Sequence, residues 1–174
     1  KKNFLYSNLG VEGIITRLKE SKIIFDCTSA ESNFKITKKL KKYLNRLHYI
    51  NLTPSKFGSY VVPYFNNSLI PKKINLITCG GQTSIPIIAS FKRILKNKLK
   101  YVELVSSISA KSAGKATRDN INEYITNTEA AINQLSKVKK TKVIININPS
   151  EPPVNMMNTL FFELNSELSL VEYK

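Results

Sequence analysis

Apolar residues along this chain fall into short clusters, and the spacing within each cluster says which element it predicts. KIIFDCTSA, residues 22–30, is an apolar run ending in small polar residues. It predicts a buried parallel strand with a loop at its carboxyl end. ESNFKITKKLKKYLNRL, residues 31–47, has helical spacing, with Phe34, Leu40, Tyr43, Leu44 and Leu47 able to share a face. HYINL, residues 48–52, predicts a second strand closed by Thr53-Pro54. The three segments together predict a βαβ unit.

YVVPYF (60–65) and INLIT (74–78) read as extended, the second leading directly to Cys79. From Gln82 to about Lys98 the pattern predicts a helix with Ile85, Ile88, Phe91, Ile94 and Leu95 on one side. Pro86 is then expected in its first turn, where a missing N–H is tolerated. YVELVSSIS (101–109) predicts a strand, Asp119 to about Leu135 a helix, and KVIININP (142–149) a strand stopped by Pro149, Pro152 and Pro153. TLFFELNSELSLVEY (159–173) alternates as a strand does. The order predicts an α/β fold, a parallel sheet followed by helices alternating with strands that need not be parallel. No internal repeat or low-complexity linker interrupts it.

Composition changes this picture little. The 174 residues are 42% hydrophobic and 22% charged, enough to bury a core. The net charge of +15 invites a nucleic-acid reading, but the basic residues are mostly lysine, spread over the chain beside an excess of Asn and Ile. That is the mark of an AT-rich genome, with no arginine stripe, RNP-like aromatic motif or zinc-finger spacing. Nucleic acid is therefore not the expected partner, and an acidic ligand such as a nucleotide fits the charge equally well. No apolar run approaches the roughly 20 residues of a membrane span, and the basic start lacks a signal-peptide pattern. Two cysteines and a single histidine fit neither a disulfide framework nor a metal site, so a reducing cytoplasmic setting is expected.

The candidate chemistry centres on TCGGQTSIP, residues 78–86. A cysteine at a strand-to-helix turn lies near backbone N–H groups that have no intrahelical partner, which favour the reactive thiolate. The same N–H groups are candidates to hold an oxyanion, and Gly80 and Gly81 leave room for a substrate carbon. The competing reading of Cys79 is a small buried residue at a strand end. Cys27 and His48, both in strand-like runs, read as core residues. SAKSAGKATRDN (109–120) is a turn able to present N–H groups and the Arg118 guanidinium to a phosphate or carboxylate, or else a surface loop with an N-cap at Thr117 or Asp119. INPSEPP (147–153) is a rigid, proline-bounded loop.

Taken together, FDCTSA, INLTPSKFGSYVVP, LITCGGQTSIP, SISAKSAGKATRDNINEY and NPSEPP, in this order and spacing, resemble acylating acetaldehyde dehydrogenase. The resemblance runs from about Gly10 to about Leu160 and favours the nucleophile reading of Cys79. It implies conversion of acetaldehyde, NAD and coenzyme A to acetyl-CoA and NADH, a step of aromatic hydrocarbon catabolism, in a homodimer partnered by a 4-hydroxy-2-oxovalerate aldolase. It implies that Cys79 forms a hemithioacetal and then a thioester, with Asn120 and Ile121 near the aldehyde. It places NAD contacts on Ser112, Ala113, Gly114, Lys115, Ala116, Thr117, Arg118, Asp119 and Asn120, with Thr28 and Ser29 at the end of a Rossmann-type strand. Residues 1–78 are then expected to be the later half of a Rossmann-like domain, and 79–174 a catalytic and dimerisation domain.

Three departures stand against a simple transfer. The six glycines form no G-x-G-x-x-G, as expected if this is the central portion of a longer enzyme. Lys115 and Ala116 replace the family's Pro-Gly in SAGPGTR. The family's aspartate after the EPP motif, proposed as a base, aligns with Asn158, whose amide cannot accept a proton. These changes keep a second expectation open, a catalytically impaired remnant acting as a binding or scaffold subunit. A different cysteine-dependent semialdehyde dehydrogenase would require a histidine base after the cysteine, and none follows Cys79.

Overall fold

The structure, a computed structural model, describes residues 10–62 and 71–169. The expected extended reading of residues 63–65 and the end of the last segment lie outside the described residues. The fold is mixed α/β with two sheets.

The first sheet holds β1 (Ile23–Asp26), β2 (His48–Asn51), β3 (Ser59–Tyr60) and β4 (Lys73–Asn75) in the order β1-β2-β4-β3. Every pairing in it is parallel. α1 (Gly10–Thr16) and α2 (Ala30–Leu40) accompany it, so the strand–helix–strand unit expected over residues 22–52 is present. Leu18, Ile24, Leu40, Leu44, Leu47 and Tyr49 form its core. Two expectations are corrected here. β1 is buried on one face only, since Ile24 and Asp26 point inward while Ile23 and Phe25 are 52% and 61% exposed. Phe34 is 68% exposed, because α2 turns Asn33, Thr37 and Leu40 inward instead. The reason is polar: Asn33 Nδ2 donates to Asp26 Oδ2 at 2.8 Å, which sets the helix's rotation about its axis.

The strands of this sheet end alike. Asp26, Asn51 and Asn75 lie in one row of the register. Each side chain accepts the backbone N–H two residues on: Thr28 N at 3.0 Å, Thr53 N at 2.9 Å and Ile77 N at 2.7 Å. Each strand is thereby folded over by its own last side chain.

The second unit comprises α3 (Cys79–Leu95), a 3-10 turn (Lys96–Lys98), β5 (Leu99–Ser109), α4 (Lys115–Asp119), α5 (Ile121–Ser136), β6 (Thr141–Asn148) and β7 (Met157–Leu164). The sheet order is β6-β5-β7, with β5 parallel to β6 and antiparallel to β7. Its core joins Ile85, Ile88 and Leu95 of α3 to Val102 and Leu104 of β5 and to Ala131 and Ile132 of α5. α3 begins at Cys79, three residues before the predicted start, because the Thr78 side chain caps it by accepting from Gly81 N. Pro86 therefore lies inside the helix and not in its first turn. Phe91 and Ile94 are 42% and 56% exposed, off the buried stripe, and Phe91 stacks on Phe162 at 4.6 Å. The helix-facing positions of β5 and β7 alternate with an outer row. There Glu103 pairs with Phe161, Val105 with Thr159 and Ser107 with Met157, and Phe161 and Met157 are 54% and 63% exposed.

The two units meet at the start of α3. Gln82 Nε2 donates to the Val61 carbonyl at 2.8 Å and to the Leu76 carbonyl at 2.6 Å. Asn75 Nδ2 donates to Asn127 Oδ1 on α5 at 3.5 Å.

Candidate functional site

Cys79 is the first residue of a helix 17 residues long, and its free thiol is exposed. The chain reaches it through Ile77, whose φ of 61° is a left-handed conformation that β-branched residues rarely adopt. Two features hold that bend. Asn75 Oδ1 accepts the Ile77 N–H, and the Ile77 side chain is 4% exposed, packed into the core. Gly81 makes room for it, since a Cβ at that position would lie 2.8 Å from Ile77 Cγ2.

Two of the first-turn N–H groups on which the expected oxyanion pocket relies are engaged within the chain. Gly80 N donates to Tyr124 Oη at 3.2 Å, and Gly81 N to Thr78 Oγ1 at 3.1 Å. Nor do the glycines open space for a substrate. A Cβ on Gly80 would meet Ser106 Oγ and Tyr124 Oη at 2.6 Å each, so the space is filled by this chain's own side chains.

Tyr124, on α5, stands beside the sulfur, with Oη 3.8 Å from Cys79 Sγ. It is 5% exposed. Burial, and after it the charge of the Cys79 sulfur, push its hydroxyl up to about 12; the Thr78 hydroxyl and the Gly80 N–H pull the other way without reversing this. Thr128 Oγ1 donates to the Tyr124 carbonyl at 2.7 Å and lies 2.7 Å from Thr78 Oγ1, tying α5 to the cap of α3.

Asn158 joins the same cluster from β7. It accepts from Ser106 Oγ at 2.8 Å and donates to Thr83 Oγ1, which in turn donates to the Cys79 and Gly80 carbonyls at 3.0 and 3.2 Å. The structure therefore gathers Cys79 and Asn158 about the first turn of α3. Tyr124, Ser106 and Thr83 were not signalled by the sequence. A tyrosine 45 residues from the cysteine, at ordinary helical spacing, carries no local mark of the contact.

The other expected positions are placed differently. Asn120 is 8% exposed and lies between α4 and α5 as the cap residue of both, while α4 is capped at Gly114 and not at Thr117 or Asp119. Arg118 donates from Nε to the Ala113 carbonyl and from Nη2 to the Ala110 carbonyl, both at 2.8 Å, so it pins its own loop. Lys115 pairs with Asp119 at 3.1 Å, and Ser112 and Gly114 are exposed. Thr28 Oγ1 donates to Asp26 Oδ1 at 2.6 Å, and Ser29 Oγ caps α2. Thr28, Ser29 and Arg118 thus already have partners within the chain. Cys27 and His48 are both exposed, against the expectation of core residues. His48 falls on the outward-facing row of β2, whose buried positions are Tyr49 and Asn51. Among the described residues no cluster of His, Cys, Asp and Glu could hold a metal ion, and no helix is long and apolar enough to cross a membrane.

Comparison with known proteins adds the following. Residues 79–172 match the family model for prokaryotic acetaldehyde dehydrogenase, dimerisation. The acetaldehyde dehydrogenase of Burkholderia thailandensis is 45% identical over 141 residues, covering 80% of this chain and 46% of that protein. That of Cupriavidus pinatubonensis is 40% identical over 156 residues, 87% of this chain and 49% of its own length. An acetaldehyde dehydrogenase of Burkholderia cenocepacia is 40% identical over 167 residues, 94% of this chain and 51% of the relative. The chain thus spans about half the length of the curated relatives it matches.

Proposed function

Because the chain belongs to the acetaldehyde dehydrogenase family, we propose that it provides the nucleophile of an acylating aldehyde dehydrogenase, with Cys79 in that role. The observation that carries this reading is the exposed thiol of Cys79 as the first residue of a long helix. There the positive end of the helix dipole faces the charge a thiolate brings. The Cys79 sulfur adds to the aldehyde carbon as the carbonyl π pair moves onto oxygen, giving a hemithioacetal. Loss of hydride from that carbon leaves a thioester on Cys79, and a second thiol displaces the cysteine and carries off the acyl group.

In the reaction proposed for the whole enzyme, acetaldehyde, NAD and coenzyme A give acetyl-CoA, NADH and a proton. NAD and coenzyme A enter through the family resemblance, which assigns NAD to Thr28, Ser29 and the segment from Ser112 to Asn120. We assign residues 1–78 to the later part of a Rossmann-like unit and 79–174 to the catalytic and dimer-forming unit. The assembly proposed is a cytoplasmic homodimer that pairs through the outer row of β5 and β7, where Phe161 and Met157 lie exposed, with an aldolase as a further partner.

The test is acyl transfer, which needs no hydride acceptor. Acetyl-CoA is incubated with the chain, and intact mass and peptide mapping locate any acetyl group. Transfer to Cys79 that vanishes in Cys79→Ser supports the reading; no transfer, or equal transfer to Cys27, removes it. One observation favours a second reading, a scaffold subunit with impaired catalysis. Asn158 spends both ends of its amide bridging β5 to α3, as a structural tie would. Under that reading acetyl transfer fails while the dimer persists.

A further inference from the structure

We propose that Tyr124 is a positioning residue for the Cys79 thiolate, passing the polarity of the buried Gly80 N–H to the sulfur through its own O–H. This rests on the reading of Cys79 as the nucleophile and adds a residue to it. A free N–H at the head of α3 would ordinarily face the sulfur. In this chain Gly80 N instead donates to Tyr124 Oη at 3.2 Å, and that oxygen lies 3.8 Å from Sγ. A phenol that accepts an N–H has one hydrogen left to give, and a donor chained in this way is strengthened by its neighbour. The sulfur is an acceptor within reach of it, beside the Thr78 hydroxyl.

Gly80 is what permits the approach. Any Cβ there would lie 2.6 Å from Tyr124 Oη. The phenol also keeps its proton throughout the neutral range, so it donates whenever the thiolate forms. Its surroundings are otherwise without charge. Thr78, Ser106, Thr128, Met156 and Asn158 line the junction from the neighbouring elements, and Cys79 is the titratable group that acts on Tyr124. The lone pairs of the thiolate are thereby held toward α5, with the remaining exposed side left to the electrophile.

The experiment follows alkylation of Cys79 by iodoacetamide from neutral to alkaline pH in a Cys27→Ser background, comparing Tyr124 with Tyr124→Phe. Removing the donor moves the reactive midpoint to higher pH and leaves a more nucleophilic thiolate. The variant is therefore expected to react about threefold more slowly at neutral pH and about threefold faster on the alkaline plateau. That crossing of the two profiles is the signature, because a packing defect would scale the whole curve one way. Superimposable profiles, or a uniform change, would overturn the proposal. Should Tyr124→Phe not fold, Gly80→Ala tests the same contact by displacing the hydroxyl, with a crossing again expected and its absence decisive. Acetyl transfer from acetyl-CoA is read on the parent chain in parallel. Crossing profiles without transfer keep Tyr124 in its role and remove the acylating reading; transfer with unaltered profiles does the reverse.

Discussion

The Cys79 sulfur and the Tyr124 hydroxyl oxygen face each other at 3.8 Å across the meeting of α3 and α5, although 45 positions of sequence separate them. The contact joins a residue the sequence singles out to one it leaves unmarked. It also has an energetic side that shows at high pH.

In the folded chain Tyr124 gives up its proton near 12, where an unfolded tyrosine does so near 10. Its folded value is raised, so its contribution is fully present below pH 10 or so and is lost as pH rises through about 12. A displacement of about two units corresponds to roughly 2–3 kcal/mol. Tyr49 acts in the same direction, raised by burial and by its hydrogen bond to Asp26. Urea denaturation repeated from neutral pH upward should show stability falling above about pH 10, and Tyr124→Phe should flatten that fall in part. An equal fall in parent and variant would mean that Tyr124 ionises as it does in water.

Gly81→Ala tests the bend at Ile77. Alanine is the better helix former by about 1 kcal/mol. Its Cβ would nevertheless lie 2.8 Å from Ile77 Cγ2 and 3.3 Å from Thr78 Oγ1, against a buried side chain with little freedom to move. The expected outcome is a net loss of about 1–3 kcal/mol in chemical denaturation. A stabilised variant would show that Ile77 yields.

Gln82→Ala removes the side chain whose amide joins the Val61 and Leu76 carbonyls. Both acceptors lose their donor at once, which costs about 1–3 kcal/mol for each one left without water. Loss of stability with unaltered secondary structure by circular dichroism is expected. No change would mean that solvent takes the place of the amide.

Phe161→Arg addresses the dimer. Phe161 is 54% exposed on the outer row of β7, so the substitution leaves the core of its own chain intact. Sedimentation should then report monomer at concentrations where the parent dimerises, with an unchanged thermal midpoint for the monomer. A variant that stays dimeric would place the interface elsewhere.

Much of the fold could be read in advance because alternation and helical spacing are local. β1, β2, β5 and β6 lie where the pattern put them, and α2, α3 and α5 differ mainly at their ends. The start of α3 is not legible in the apolar pattern, because its determinant is the polar Thr78 cap. Phe34 and Phe91 were misassigned because apolar character competes with polar anchoring: Asn33 holds α2 to Asp26, and Phe91 is satisfied by stacking on Phe162. About the first turn of α3, Cys79 stands out in TCGGQTSIP and Asn158 through the family resemblance. Tyr124, Ser106 and Thr83 do not stand out, since their roles exist through contacts between elements distant in sequence.

The cross-ties at the head of α3 also bear on how this region opens. Helix N-terminal amides ordinarily exchange their hydrogens with solvent quickly, having no carbonyl to hold them. Here the Gly80 amide is held by a hydroxyl on α5, and the Gly81 amide by Thr78, itself in contact with Thr128 of α5. These two hydrogens should exchange slowly, at a rate set by separation of the two helices. They become a clock for that separation, and the sulfur beside them keeps its setting only between its ticks.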